Sequence, residues 1–189
     1  MSTAARAQRS LHVVPGYRQV SVICCGVRVA AAREDDPPFS VDAEVLEEDT
    51  WLALSAPADI ISDPGPPVRV MTRVWEARPE LPGTVIVRRG TPMKLLAVVH
   101  DLNAEPSWTE ERVEQVLSTL FEIVDGEGVR ALQLPMLATR HGRLQPERFM
   151  RLLRAALERR TGSGSALRAV WLVRENQCGA QLLRLLTDQ

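Results

Sequence analysis

The chain has 189 residues, enough for one domain with a substantial core or two small ones. Hydrophobic residues make up 45% and charged residues 25%, which argues against a disordered or fibrous chain and makes staples of metal or disulfide unnecessary. With 23 basic and 24 acidic residues the formal net charge is −1, so the chain-wide basic footprint of a nucleic-acid binder is absent. Lys94 is the only lysine, so nearly all the positive charge is guanidinium. The three cysteines, Cys24, Cys25 and Cys178, form no disulfide framework: their number is odd and an adjacent pair does not easily bridge to itself. No apolar run approaches the roughly 20 residues of a membrane span, and no apolar stretch follows the two arginines of the N-terminus. A soluble, reducing, cytoplasmic setting is expected, with no membrane partner.

Residues 1–18 read as a polar arm, and 19–189 as a single domain. Val20 to Ala31 reads as one strand or a hairpin around Gly26. Arg33 to Ser40 is a loop, with two prolines and three acids in eight residues. A short apolar strand is expected over Thr50 to Leu54. Ile60 to Pro67 is a loop by its proline and glycine content. Val68 to Ala77 is expected to be helical, closed by the prolines at 79 and 82.

From residue 84 the pattern is regular. Thr84 to Val87 reads as a strand. Leu95 to His100 is a continuous apolar run, as in a strand covered on both faces. Ser107 to Glu110 has the form of a capping box. Val113, Val116, Leu117, Leu120, Phe121 and Val124 then recur at helical spacing, and Gly126 and Gly128 stop the helix. Val129 to Leu134 is a strand, and Pro146 suits the first turn of a helix that buries Phe149, Met150, Leu153, Ala156 and Leu157. The stretch 161–165 is a turn, Leu167 to Val173 a strand and Cys178 to Leu186 a last helix. Strands alternating with helices imply parallel crossovers. The expected fold is α/β: a three-layer α/β/α sandwich around a mixed, mostly parallel sheet.

In such a sheet the ligand crevice lies beyond the carboxyl ends of the strands. The loops after Leu54, Leu134 and Val173 are therefore the ones to consider. The second, Pro135 to Arg143, combines small residues, backbone donors, two arginines and a histidine, a set that can cradle a phosphate or equally form an ordinary connection. His100, ending an apolar strand, reads as a structural histidine. Cys24 and Cys25, in an apolar strand, read as small core residues rather than as a nucleophile. No zinc spacing, phosphate-binding P-loop or dinucleotide fingerprint occurs, and neither metal nor cofactor is expected.

The stretch LQLPMLATRHGRLQPERF resembles the macro-domain segment in which a strand enters a "(F/L)P-x-L-G-T-G-x-x-G-x-P-x-E" loop. PGTVIVRRGTPMKLLAVVHDL is similar to the preceding strand pair of that family, with His100 at its closing histidine. LRAVWLVRENQCGAQLLRLL resembles its last strand, loop and helix. Laid without a gap over "G-D-I-T-x-L-x-V-D-A-I-V-N-A-A-N-S", VDAEVLEEDTWLALSAP places Asp42 on the aspartate of the first loop. The resemblance spans roughly residues 40–187. It implies binding of ADP-ribose or a related nucleotide and, as in some members, hydrolysis of ADP-ribosyl bonds. The implied ligand-binding residues are Asp42, Ala43, Ser55, Gly65, Val68, Arg69, Leu137, Ala138, Thr139, Arg140, His141, Gly142 and Asn176. Asp42 would accept from an adenine amine.

The departures point away from hydrolysis. In this alignment the two asparagines become Ala53 and Ala56, which have no amide to position a water. The first phosphate loop carries Pro66 and Pro67, each lacking an N–H. In the second, Ala138 and Arg140 replace glycines. No catalytic residue is assigned. The leading expectation is a nucleotide-binding module without hydrolase activity. An interaction domain that has lost the pocket is the first alternative, compatible with a protein partner. A hydrolase using Asp42 or His141 is the second.

Overall fold

The computed structural model describes residues 20–55, 78–160, 165–173 and 179–187. The chain opens with β1 (Val20–Cys24) and β2 (Val27–Ala32), an antiparallel hairpin closed by the two-residue turn Cys25-Gly26. Both turn residues have positive φ, 50° and 78°, as the mirror-image turn that matches strand twist requires. Then come β3 (Ala43–Asp49), β4 (Val85–Arg88) and β5 (Met93–His100). The remaining elements are α1 (Glu110–Gly126), β6 (Ala131–Pro135), α2 (Pro146–Arg159), β7 (Ala169–Val173) and α3 (Gly179–Arg184).

The seven strands form one sheet in the order β1-β2-β7-β6-β3-β5-β4. The five inner strands run parallel, and β1 and β4 cap the edges antiparallel. Leu95, Ala97 and Val99 belong to the main core, while Leu96 and Val98, pointing the other way, are just as buried. A strand covered on both faces needs this continuous apolar run. α1 supplies Val113, Val116, Leu117, Leu120, Phe121 and Val124 to that core. Each such side chain contributes about 1.5–3 kcal/mol by leaving water. α2 adds Phe149, Met150, Leu153 and Leu157.

Two local expectations change. The strand expected over Thr50 to Leu54 lies earlier, at Ala43–Asp49, and residues 50–54 turn instead. The carboxylates of Glu44, Glu47, Glu48 and Asp49 hide its alternation in the sequence. The N-cap of α1 is Thr109, whose hydroxyl accepts from the Arg112 N–H at 3.3 Å, two residues beyond the capping box read at Ser107. Ser107 is engaged elsewhere, as described below. The helix expected over Val68 to Ala77 and the loop before it fall outside the described residues.

The connections set where a crevice can form. From β3 the chain continues to β4 and β5 on one side; from β6 it moves to β7 on the other. The strands on either side of this reversal, β3 and β6, pair only through Ala43↔Leu132 and Glu44↔Gln133, at their amino ends. Toward their carboxyl ends the ladder stops, and this is the topological switch point where α/β sheets bind ligands.

Candidate functional site

Glu47 spans the split between β3 and β6. One carboxylate oxygen lies 2.6 Å from His100 Nε2 at the end of β5; the other accepts from the backbone N–H of Ala138, after β6, at 3.0 Å. His100 is 3% exposed. A carboxylate only accepts, so Nε2 carries the imidazole proton in the neutral ring. Nδ1, 3.2 Å from Ser107 Oγ, is then the acceptor for the serine hydroxyl. One buried side chain thus ties together the ends of β3 and β5 and the loop after β6. The His141 ring stands edge-on to His100, with centroids 6.2 Å apart.

The loop after β6 folds on itself. The Thr139 hydroxyl donates to the Met136 carbonyl at 2.6 Å. The N–H groups of Gly142 and Leu144 both donate to the Ala138 carbonyl, at 3.1 and 2.9 Å. Ala138 and Arg143 have φ of 59° and 61°, the left-handed region in which glycine is at home. Counted along the motif, these are the first and third glycine positions, so the loop keeps the glycine backbone without the glycines. Gly142 is needed for a different reason: a Cβ there would sit 2.5 Å from Trp108 Cδ1 and 2.7 Å from the Ala138 oxygen. The N–H groups of His141 and Arg143 donate to no partner among the described residues, and both side chains are exposed.

Beyond Glu47, β3 ends in more acid. Asp49 accepts from the N–H groups of Trp51 and Ala53, at 2.6 and 3.3 Å, which holds the turn after the strand. Glu48 is 0% exposed, and among the described residues neither of its oxygens has a hydrogen-bond partner. Burial pushes its carboxyl above the usual range, and nearby Ser55 offsets part of that rise. The hydroxyls of Thr50 and Ser55 are likewise buried without a partner among the described residues.

Of the sequence-predicted ligand residues, Leu137, Ala138, Thr139, Arg140, His141 and Gly142 lie at this carboxyl end of the sheet, and Ser55 follows the turn after β3. Leu137 and Ala138 are fully buried. Asp42 and Ala43 are not brought there. They begin β3, at its amino end, where the Asp42 carboxylate accepts from the N–H groups of Arg130 and Ala131, both at 2.9 Å. The length of β3 lies between this end and the crevice. Gly65, Val68, Arg69 and Asn176 fall outside the described residues.

The position of β3 also moves the register of the resemblance by seven residues. In the shifted register Val41-Asp42-Ala43-Glu44-Val45 meets V-D-A-I-V at four of five positions. The two asparagine positions then fall on Leu46 and Asp49 rather than Ala53 and Ala56. The first-loop aspartate falls on Asp35, just past the carboxyl end of β2, where it pairs bidentately with Arg33 at 2.8 Å. Asp35, Glu47 and Asp49 were missed because the gapless alignment followed the apolar run Thr50 to Leu54. The V-D-A-x-V string was the signal that could have found them.

No protein-family model matches the sequence, and no curated protein matches it. Solved structures do. An Oceanobacillus iheyensis macrodomain with ADP aligns with TM-score 0.61 at 14% identity, over 95% of this chain and 95% of that one. A Trypanosoma brucei macrodomain in complex with ADP-ribose aligns with TM-score 0.60 at 12% identity, over 85% of this chain and 69% of that one. The fold is that of a macrodomain. At the carboxyl end of the sheet the split between β3 and β6 is bridged by Glu47 and flanked by the loop after β6.

Proposed function

We propose that this macrodomain binds ADP-ribose or a related adenine nucleotide and does not hydrolyse it. The observation that carries the reading is the loop 137–143. It holds the glycine-type backbone at Ala138 and Arg143, and it presents the N–H groups of His141 and Arg143 beside exposed arginines at the switch point. Unpaired N–H groups and guanidinium together suit a diphosphate. Asp35, beyond β2, supplies an acceptor for an adenine amine. The solved macrodomains with ADP and with ADP-ribose support the ligand class. Against hydrolysis stands the commitment of the carboxylates: Asp49 holds its own turn and Glu47 holds His100 and Ala138. Asp42, at the far end of β3, cannot share a site with His141.

Isothermal titration with ADP-ribose, ADP and adenosine tests this. Saturable heat with the two diphosphates is expected, weakened at least fivefold by Asp35→Ala and by Arg143→Glu. A second reading, an interaction domain with a closed cleft, is favoured by one observation: the Glu47 carboxylate already takes the Ala138 N–H that an anion would use. Absence of heat at millimolar protein and ligand would establish that reading instead.

A further inference from the structure

We propose that the tip of the β1–β2 hairpin, Cys24 and Cys25, is a vicinal dithiol site that captures a monosubstituted trivalent arsenical by bridging its arsenic between both sulfurs. The site is independent of the nucleotide cleft. It begins with an unusual residue choice: a turn with positive φ at both positions strongly prefers Asn-Gly or Asp-Gly, yet this one is Cys25-Gly26. A cysteine side chain in the left-handed region costs about 1 kcal/mol. The turn sets the two Sγ atoms 3.9 Å apart.

That separation selects the kind of centre. Two bonds of about 2.3 Å from sulfur, meeting at roughly 95–110° in a bent centre, span about 3.4–3.8 Å, which a small side-chain rotation reaches from the observed separation; the same bonds in line would span about 4.6 Å. A linear two-thiolate ion therefore does not fit. A four-coordinate ion lacks half its ligands, since among the described residues no group of three or more His, Cys, Asp or Glu side chains could hold a metal. A monosubstituted trivalent arsenical is bent, thiophilic, and brings its third substituent with it.

The two thiols are unequal in a useful way. Cys25 is exposed and makes first contact, while Cys24 is buried. Burial, with the neighbouring Cys25, pushes the Cys24 thiol up to about 12, and Arg154 on α2 opposes this in part. Cys24 thus enters second, as a thiol, in an intramolecular step favoured by proximity. An arsenoso group loses its oxygen as water, which carries away both thiol protons. Two S–H bonds and the arsenic–oxygen bond break, two As–S bonds form, and arsenic stays trivalent throughout. The buried As–S bond is then shielded from exchange with outside thiols.

The test uses the reduced full chain, phenylarsine oxide, a chase with excess glutathione, and intact-mass measurement. One phenylarsenic per chain is expected to survive the chase and to be released by 2,3-dimercaptopropanol. Cys25→Ser, at an exposed position, should shorten retention at least tenfold, and Cys24→Ala likewise; Cys178→Ser should leave it unchanged. The native chain should also hold the adduct at least tenfold longer than the chain unfolded in urea. Loss of the adduct in Cys178→Ser, its survival in Cys25→Ser, or equal retention by folded and unfolded chains would each overturn the proposal.

Discussion

Ala138 and Arg143 hold a conformation that their side chains resist, at a cost of about 1 kcal/mol each. Glycine at either position relieves that strain but enlarges the freedom of the unfolded chain, which returns part of the gain. Ala138→Gly and Arg143→Gly should each raise stability by roughly 0.5 kcal/mol, read as an upward shift in urea midpoint at constant slope. A fall in midpoint for both would mean that the loop does not need the left-handed backbone. Glu48 makes a different kind of prediction. Its folded-state pKa lies above the ordinary 4.5 because burial disfavours the charge. The folded state therefore binds the proton more tightly: its contribution is full below the unfolded value and is lost as pH rises through the folded one. Glu48→Gln removes that loss. The variant should be more stable than the parent at pH 7 and equal to it below about pH 4. Thermal melts at the two pH values measure the difference, and a gap that is the same at both would contradict the burial argument.

At the level of elements, Glu47 is the joint between three strands that the chain does not connect directly. Glu47→Ala leaves the buried His100 ring and the Ala138 N–H without their acceptor, and should cost about 2–4 kcal/mol. Glu47→Gln keeps an acceptor oxygen for one of the two partners and should cost about half as much. Hydrogen exchange should show the Ala138 amide losing protection in Glu47→Ala while the α1 amides keep theirs; unchanged protection at Ala138 in that variant would mean that the loop is held by its own internal bonds. This joint was not legible in the sequence. Glu47 lies in a run of acids to which the sequence pattern assigns no element, and its partners are 53 and 91 residues away. Elements whose signal is local were legible: α1 from six apolar residues at helical spacing, α2 from Pro146, β5 from an uninterrupted apolar run. β3 was misplaced because its alternation is written in carboxylates, which only the folded neighbourhood makes tolerable at its buried end. His100, read as a structural histidine, does have both ring nitrogens engaged.

For the whole molecule, the order of strands and helices after residue 84 was enough to expect a mostly parallel sheet, while the reversal of strand order, where β3 and β6 part, was not legible. What sequence pattern could not supply was the sign of the field in that gap. Arg140, His141 and Arg143 belong to the loop after β6, and Glu47, Glu48 and Asp49 to the carboxyl end of β3. A diphosphate entering the cleft gains from the first set and is opposed by the second. The balance is readable through stability, because a ligand that binds only the folded state raises it by mass action. At a concentration one hundred times its dissociation constant ADP-ribose should add about 2.7 kcal/mol, which for a chain of this size is a rise in melting temperature of roughly 5–10 °C. The charge balance then makes a sharper demand. Glu47→Gln removes one negative charge from the gap, so the ligand-induced rise should be larger in this variant than in the parent, although the variant melts lower without ligand. Added salt should shrink the rise for ADP-ribose and leave any rise with adenosine untouched, since only the former is charged. An ADP-ribose response that Glu47→Gln leaves unchanged and salt does not weaken would place the ligand away from the β3–β6 gap, whatever its affinity.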